Sequence, residues 1–358
     1  MKDNNKMNGD RYIDRARLRG YMLECAVSGL LEENGFREIT GEQEGKIRID
    51  RVHFTELKGR GEWHQIDCPC EYNIEIPFIN KIRLLAEVKF FKGKIEKNLI
   101  REYIGVLKDI QENYFVEDGI SISLLGNRFT ELGVYFSASG FTDSSERLAF
   151  AHNIKTVSYE NVEVIGDIIS DILEIEENYL RTGKCISKGK QSNFISSFRK
   201  ILSNQDSEEE LRTFIEEFEP AEADGFRDAI NLFKEHFSRI KCNFFANTSG
   251  GALLHFISDR EFPDYLFQDT DIAEVEIYHQ SEIFYLIFSM DNERRKFYFK
   301  PPKSLGDAVY ARTSVLGEKE RHFKSLTLTR IIKGIKRTIT LRLNNDWLQN
   351  ARESNDSI

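Results

Sequence analysis

Apolar residues recur at helical spacing near the start of the chain. Leu18, Tyr21, Met22, Cys25, Val27, Leu30 and Leu31 predict an amphipathic helix over 10–33, and Gly35 after Asn34 supplies a left-handed stop. From 47 to 89 the period shortens to that of strands. Ile47, Ile49 and Val52, then Ile66, then Tyr72, Ile74 and Ile76, then the run 82–90 predict a meander. Leu99, Tyr103, Ile104, Leu107 and Ile110 restore the helical period over 97–114. A strand over 133–142 follows, then a helix over 144–153 capped by Thr142 or Asp143, then a short strand over 154–158. Strand, helix, strand implies a right-handed parallel crossover in one sheet.

The second half has a different texture. A strongly apolar helix is predicted over 162–180, and Gly, Ser and Lys over 182–192 read as a linker. The stretch 194–237 is helical and acidic, with Glu208-Glu209-Glu210 and Glu216-Glu217. From 241 onward short apolar and aromatic runs predict strands, with Gly250-Gly251 and Pro301-Pro302 in turns. The expected organisation is an α/β core over 10–160 in which a mixed sheet is flanked by helices. A helical linker region over 161–239 and a strand-rich α+β domain over 240–346 complete it.

A length of 358 residues fits two or three domains, and 40% hydrophobic residues with 27 Phe and 13 Tyr can fill their cores. No apolar run reaches membrane-spanning length and the polar start has no signal-peptide segment, so no membrane partner and a cytoplasmic location are expected. Five cysteines make no disulfide framework, and Cys68-Pro69-Cys70 has no second Cys or His pair to complete a zinc site. The net charge of −9 excludes a molecule coated in basic surface, so any nucleic-acid contact must be local. The clearest basic patch is 321–343, which holds Arg321, Lys324, Arg330, Lys333, Lys336, Arg337 and Arg342 and no Asp or Glu. It suits either a phosphate backbone or the acidic helices of the middle region.

Candidate chemistry concentrates in the strand-like first half. Glu87 and Lys89 sit two apart on an otherwise apolar strand and therefore point to one side. Burying such charges is costly unless they are paired or bind a metal. With Asp67 on the preceding strand they form a set suited to metal-dependent phosphodiester hydrolysis. The two carboxylates would hold a hard cation, the Val88 carbonyl would complete its shell, and Lys89 would steer the attacking water. Glu24, beside the apolar positions of the first helix, reads either as a solvated helix residue or as an auxiliary ligand. His64 reads as a satisfied strand histidine, or else as a general base or a phosphate contact, and Gln65 falls on the face of Asp67 by alternation. Gly59 and Gly61 would let the backbone approach a ligand. Arg60, Lys97 and Arg101 are the candidate DNA contacts.

The order of these blocks resembles the PD-(D/E)XK nuclease superfamily, in particular its Mrr-like restriction endonuclease branch. The helix with Glu24 ends in Asn34-Gly35-Phe36, Asp67 follows, then Glu87-Val88-Lys89. A helix leads to Tyr135-Phe136-Ser137-Ala138-Ser139-Gly140-Phe141-Thr142, with Ala149 and Ala151 before Ile154. The resemblance spans about 15–159. It implies a restriction-endonuclease-like core, Asp67 and Glu87 as ligands of Mg²⁺ (with Mn²⁺ able to substitute), Lys89 as the catalytic lysine and Glu24 as an acidic helper. The chain departs from the family in Gly61-Glu62-Trp63-His64-Gln65-Ile66, where small and acidic residues are usual. The implied activity is a DNA endonuclease of restriction or antiphage defence, acting as a homodimer or with a partner subunit. A partner- or ligand-gated nuclease, a structure-specific repair nuclease and a non-catalytic DNA-binding scaffold are the alternatives.

Overall fold

The structure is a computed structural model that describes residues 15–43, 46–49, 54–72, 79–113, 129–179, 188–202, 208–218, 222–280, 283–310 and 315–355. Helix α1 (Arg15–Glu33) is followed by Gly35 at φ 83°, the left-handed stop expected of it. Residues 10–14 of the expected helix lie outside the described residues. The amphipathic expectation is only half of the observed picture. Met22, Leu23, Cys25, Ala26, Val27, Leu30 and Leu31 are all buried, which takes in neighbouring positions and so more than one side of the helix. One side lies on a sheet, and α4 (Ile165–Glu174) and α5 (Lys188–Leu202) cover another.

That sheet has five strands in the order β1 (Phe36–Glu38), β5 (Cys68–Tyr72), β6 (Lys81–Lys89), β7 (Phe129–Ser137), β8 (Lys155–Ser158). β5 runs antiparallel to β1 and β6, whereas β6, β7 and β8 are mutually parallel. Helices α2 (Lys97–Gln111) and α3 (Asp143–Ala151) make the two crossovers. Thr142 caps α3 by accepting from the Ser145 amide at 3.3 Å. Alternation along β6 divides the core: Leu84, Ala86, Val88 and Phe90 pack with α1, while Leu85 packs with Ile100, Tyr103, Leu107 and Ile110 of α2.

The expected meander over 47–89 is two structures. β2 (Ile47–Ile49), β3 (Thr55–Lys58) and β4 (Trp63–Gln65) form their own three-stranded sheet, and the chain bends at Asp67 before β5 joins the main sheet. Val52, Ile74 and Ile76 lie outside the described residues. A linker over 182–192 also fails in its second part, because Lys188 opens α5; 182–187 are outside the described residues. The helix expected over 162–180 is α4 extended by a π-helical turn, Ile175–Tyr179.

α5, α6 (Glu208–Phe218) and α7 (Ala223–Ser238) complete the core rather than spacing two domains. Phe194, Phe198, Phe214, Phe226 and Phe233 stack among themselves and share one cluster with α1 and the sheet. Their acidic residues Glu209 and Glu216 are exposed.

The strand-rich region closes into a seven-stranded barrel. Its strands are β9 (Cys242–Thr248), β10 (Leu253–Ser258), β11 (Ile272–Gln280), β12 (Ile283–Phe288), β13 (Phe297–Phe299), β14 (Ser325–Ile332) and β15 (Ile335–Leu343), in the order β10-β13-β12-β11-β15-β14-β9. Phe244, Phe256, Phe262, Phe284, Phe288, Phe297 and Phe299 fill it, which accounts for much of the phenylalanine. Helices α8 (Lys303–Tyr310), α9 (Val315–Phe323) and α10 (Asn345–Asn355) flank it. The basic stretch 321–343 is largely the β14–β15 hairpin. Arg330 stacks over Phe262 and reaches Asp264, Arg337 pairs with Asp271, and Lys336 donates to the Tyr72 hydroxyl.

The barrel docks on the edge strand β8 and the end of α1. The Tyr159 hydroxyl meets His255 Nδ1 at 3.2 Å, Phe136 meets Phe245 edge-on, and Lys155 donates to the Gly251 carbonyl. Among the described residues no helix is long and apolar enough to cross a membrane.

Candidate active site

The bend at Asp67 and the last residues of β6 meet at the carboxyl end of the parallel strands, where open α/β sheets characteristically place ligands. Asp67 Oδ2 accepts from Lys89 Nζ at 2.6 Å and from the Val88 amide at 2.9 Å. Lys89 Nζ also pairs with Glu87 Oε2 at 2.5 Å, so Glu87 and Lys89 do share one side of the strand. One ammonium thus joins two carboxylates, one from the bend before β5 and one from β6.

The register explains why this spot is open. β5 begins at Cys68, opposite Ala86, so β6 has no strand beside it from Glu87 onward on that edge. A residue's N–H and C=O face the same edge of a strand. Since the Val88 N–H faces Asp67, its carbonyl faces the same gap, as a ligand role requires.

Burial sets the electrostatics. Burial and then the neighbouring Asp67 push the Glu87 carboxyl up to about 8, against the opposing pull of Lys89. Glu24, buried on α1, is likewise raised well above the usual carboxylate range by burial and then by Asp67. Burial opposes the charge of Lys89, but Asp67, Glu87 and Glu24 outweigh it and hold the ammonium above its ordinary range. Three carboxyls therefore surround one cation, and the site is short of positive charge.

That shortage is the test of a divalent cation at this place, and the residues fit one. Asp67, Glu87 and the Val88 carbonyl offer hard oxygen donors, and Mg²⁺ is ordinarily bound by one or two carboxylates with waters in its other positions. Among the described residues no group of three His, Cys, Asp or Glu is placed to hold a metal ion by itself. The described cysteines Cys25, Cys68, Cys70 and Cys242 are buried and free.

Other sequence candidates lie elsewhere. His64 Nε2 meets Asp109 Oδ2 of α2 at 2.7 Å, and the Gly61 amide donates to the same carboxylate at 3.0 Å. His64 is the satisfied strand histidine. A Cβ at Gly59 would lie 2.1 Å from Asp109 Oδ2, so this glycine lets the turn close on α2 and not on a ligand. Gln65 is exposed at the end of β4, and the bend at Asp67 breaks the alternation that put the two on one face. Lys97 and Arg101 are exposed on the first turns of α2, at the site's end of the helix. Arg60 instead pairs with Glu112 at 3.6 Å beyond the far end of α2, about 22 Å along the axis from Lys97 at 1.5 Å per residue. Arg60 does not join their patch.

Two residues that the sequence pattern marks only as apolar positions lie under the site. Tyr103 and Tyr135 are buried beneath the carboxylates and packed edge to face at 5.6 Å. Burial and then Glu87 push the Tyr103 hydroxyl well up, and it donates to the Leu85 carbonyl. Both occupy apolar positions of their elements; the signal was a hydroxyl that a buried tyrosine must satisfy.

No family model matches the chain, and no curated protein matches it. Among solved structures, the crystal structure described as "Protein of Unknown Function AF1548" matches over 61% of this chain and 98% of its own, at 19% identity and a TM-score of 0.35. A likeness that distant says nothing of activity.

Proposed function

We propose that this chain is a metal-dependent DNA endonuclease of the PD-(D/E)XK superfamily, similar to its Mrr-like branch, with Mg²⁺ or Mn²⁺ held at Asp67 and Glu87. The observation that carries the reading is the Asp67–Lys89–Glu87 junction, where an aspartate brought from 22 residues away shares one ammonium with Glu87 at the open end of β6. Glu24, Glu87 and Lys89 are all perturbed by burial and by one another beside Asp67, and such clustering of perturbed groups is characteristic of functional sites. The order of α1, Asp67, Glu87-Val88-Lys89, α2, β7 and α3 is the order on which the family resemblance rests.

When bound, the cation would polarise the scissile phosphate and acidify a water. The protein's own groups divide the rest. Asp67 and Glu87 supply charge and orient the donor set, with the Val88 carbonyl on the same edge. Lys89, relieved of one carboxylate, turns its ammonium to the attacking water and to the charge that builds on phosphate oxygens. Glu24, whose carboxyl burial and then Asp67 raise well above the ordinary carboxylate range, stands beside the cluster as an auxiliary acidic group. Tyr103 and Tyr135 close the floor to water.

The test is incubation of end-labelled duplex and single-stranded DNA with the protein in Mg²⁺, Mn²⁺ and EDTA. Internal cuts that need the cation are expected. Intact DNA in all three, with calorimetry showing no Mn²⁺ uptake, overturns the proposal.

A further inference from the structure

Where β6 runs past its neighbour, a helix takes the place of the missing strand. From Glu87 onward β6 pairs with β7 on one edge and with no described strand on the other. Backbone groups alternate between the two edges, and the Lys89 carbonyl accepts from the Ala138 amide on the β7 edge at 3.2 Å. The Val88 and Phe90 carbonyls therefore face the open edge. At Val88 that edge is met by Asp67, which takes the amide at 2.9 Å. At Phe90 it is met by Arg19 of α1. The Arg19 Nε donates to the Phe90 carbonyl at 3.0 Å, and the guanidinium lies over the Phe90 ring, 5.0 Å from its centroid.

Arg19 is itself fixed from behind. Its side chain is only 4% exposed, and Nη1 pairs at 2.7 Å with Glu176 Oε2 on the π-helical turn that extends α4. That turn packs against α1 and α7. The π turn is a rare conformation, found often at functional sites. A buried ion pair is weak evidence for stability, because apolar side chains of like volume commonly pack as well. What this pair supplies is direction. One planar fork holds the carbonyl beside Lys89 with one arm and a carboxylate of a distant helix with the other, at an angle that the point charge of a lysine does not fix.

We propose that Arg19 and Glu176 are positioning residues of the candidate active site. They clamp the Phe90 carbonyl and thereby hold the end of β6, with the Lys89 ammonium and the Val88 carbonyl, in one place. The inference rests on the nuclease reading. Without the clamp the strand end is tied along its β7 edge and by Asp67 alone, and Asp67 is the residue that a cation would draw away. A displacement of about 1 Å at a reacting group can cost on the order of a hundredfold in rate. The clamp touches no surface that DNA would meet, since both side chains are buried, so its loss falls on kcat and not on KM.

The test is the double variant Arg19→Met with Glu176→Met in the full chain, which replaces the pair by apolar side chains of similar length and should unfold near the wild-type temperature. Hydrogen–deuterium exchange in EDTA should be at least about fivefold faster over 87–91 than in wild type, with β7 and α2 unchanged. Plasmid cleavage in Mg²⁺ should show kcat lowered at least about tenfold and KM within about twofold. If the double variant does not fold, Arg19→Lys, which keeps a charge opposite Glu176 without the fork, should change both readouts in the same direction. A folded variant with wild-type exchange over 87–91, or with wild-type kcat, overturns the inference and leaves the nuclease reading standing. Wild type that cuts no DNA overturns the nuclease reading and the inference with it.

Discussion

Replacing Glu87 with Gln should stabilise the fold at neutral pH while removing catalysis. Glu87 titrates near 8 in the folded chain against the usual 4.5. The folded state therefore holds a proton that the unfolded state has lost across this window, and stability falls as pH rises through it. Below pH 4.5 both states are protonated and the effect vanishes; above pH 8 it is complete. At 1.36 kcal/mol per pH unit, the rise sets an upper limit of about 5 kcal/mol. Relaxation around the partly accessible side chain reduces this to about 2 kcal/mol, or a rise of roughly 4–8 °C in Tm for a domain of this size. Glutamine fits the same space without the charge, and Lys89 keeps Asp67 as its partner. The assay is thermal unfolding of wild type and Glu87→Gln in EDTA from pH 5 to 9. The gain should be small at pH 5 and level off above pH 8, and Mg²⁺ should narrow it by stabilising wild type alone. A Glu87→Gln protein less stable than wild type at pH 8, or a difference independent of pH, would refute the reasoning.

Further outcomes follow from other contacts. Arg83 and Glu131, opposite one another on β6 and β7, form a buried bidentate pair, so Arg83→Ala should cost about 3–5 kcal/mol in denaturant unfolding by taking the guanidinium from a buried carboxylate. His64→Asn should lower stability by less than about 1 kcal/mol and leave DNA cleavage close to wild type, since the ring holds Asp109 at a partly exposed position. A pH-rate profile carried by His64 would contradict that. His255 is buried against Tyr159 and Asn243, and burial pulls it down to about 3, so the folded state takes up its proton later than the unfolded one. Stability should therefore fall as pH drops from about 6.5 toward 3 by up to about 1.4 kcal/mol per pH unit from this group, and His255→Gln should flatten that limb in acid unfolding scans.

What could be read from the sequence was local or carried by charge. The helical period of Leu99, Tyr103, Leu107 and Ile110, the Thr142 cap and the Gly35 stop all mark elements whose cause lies within a few residues. Glu87 and Lys89 stood out because charges on an apolar strand are conspicuous wherever the strand goes. The bend at Asp67 was not visible, since nothing in Gln65-Ile66-Asp67-Cys68 announces that the chain leaves one sheet for another, and Gln65 was misplaced with it. The surroundings of α1 were hidden for a similar reason: α4 and α5 come from more than 130 residues away, and only their packing turns an amphipathic helix into a buried one. Closure of the barrel depends on the parallel pairing of β11 with β15, a contact between strands some 60 residues apart that no period records.

The most direct test of the central claim is cleavage of supercoiled plasmid by wild type, Asp67→Ala and Lys89→Ala, each in Mg²⁺ and in EDTA, with folding checked by circular dichroism. The account predicts nicked and linear products from wild type in Mg²⁺ alone, and a loss of at least about a hundredfold in both folded variants. Wild-type cleavage that persists in EDTA, or that either folded variant retains in full, would contradict it.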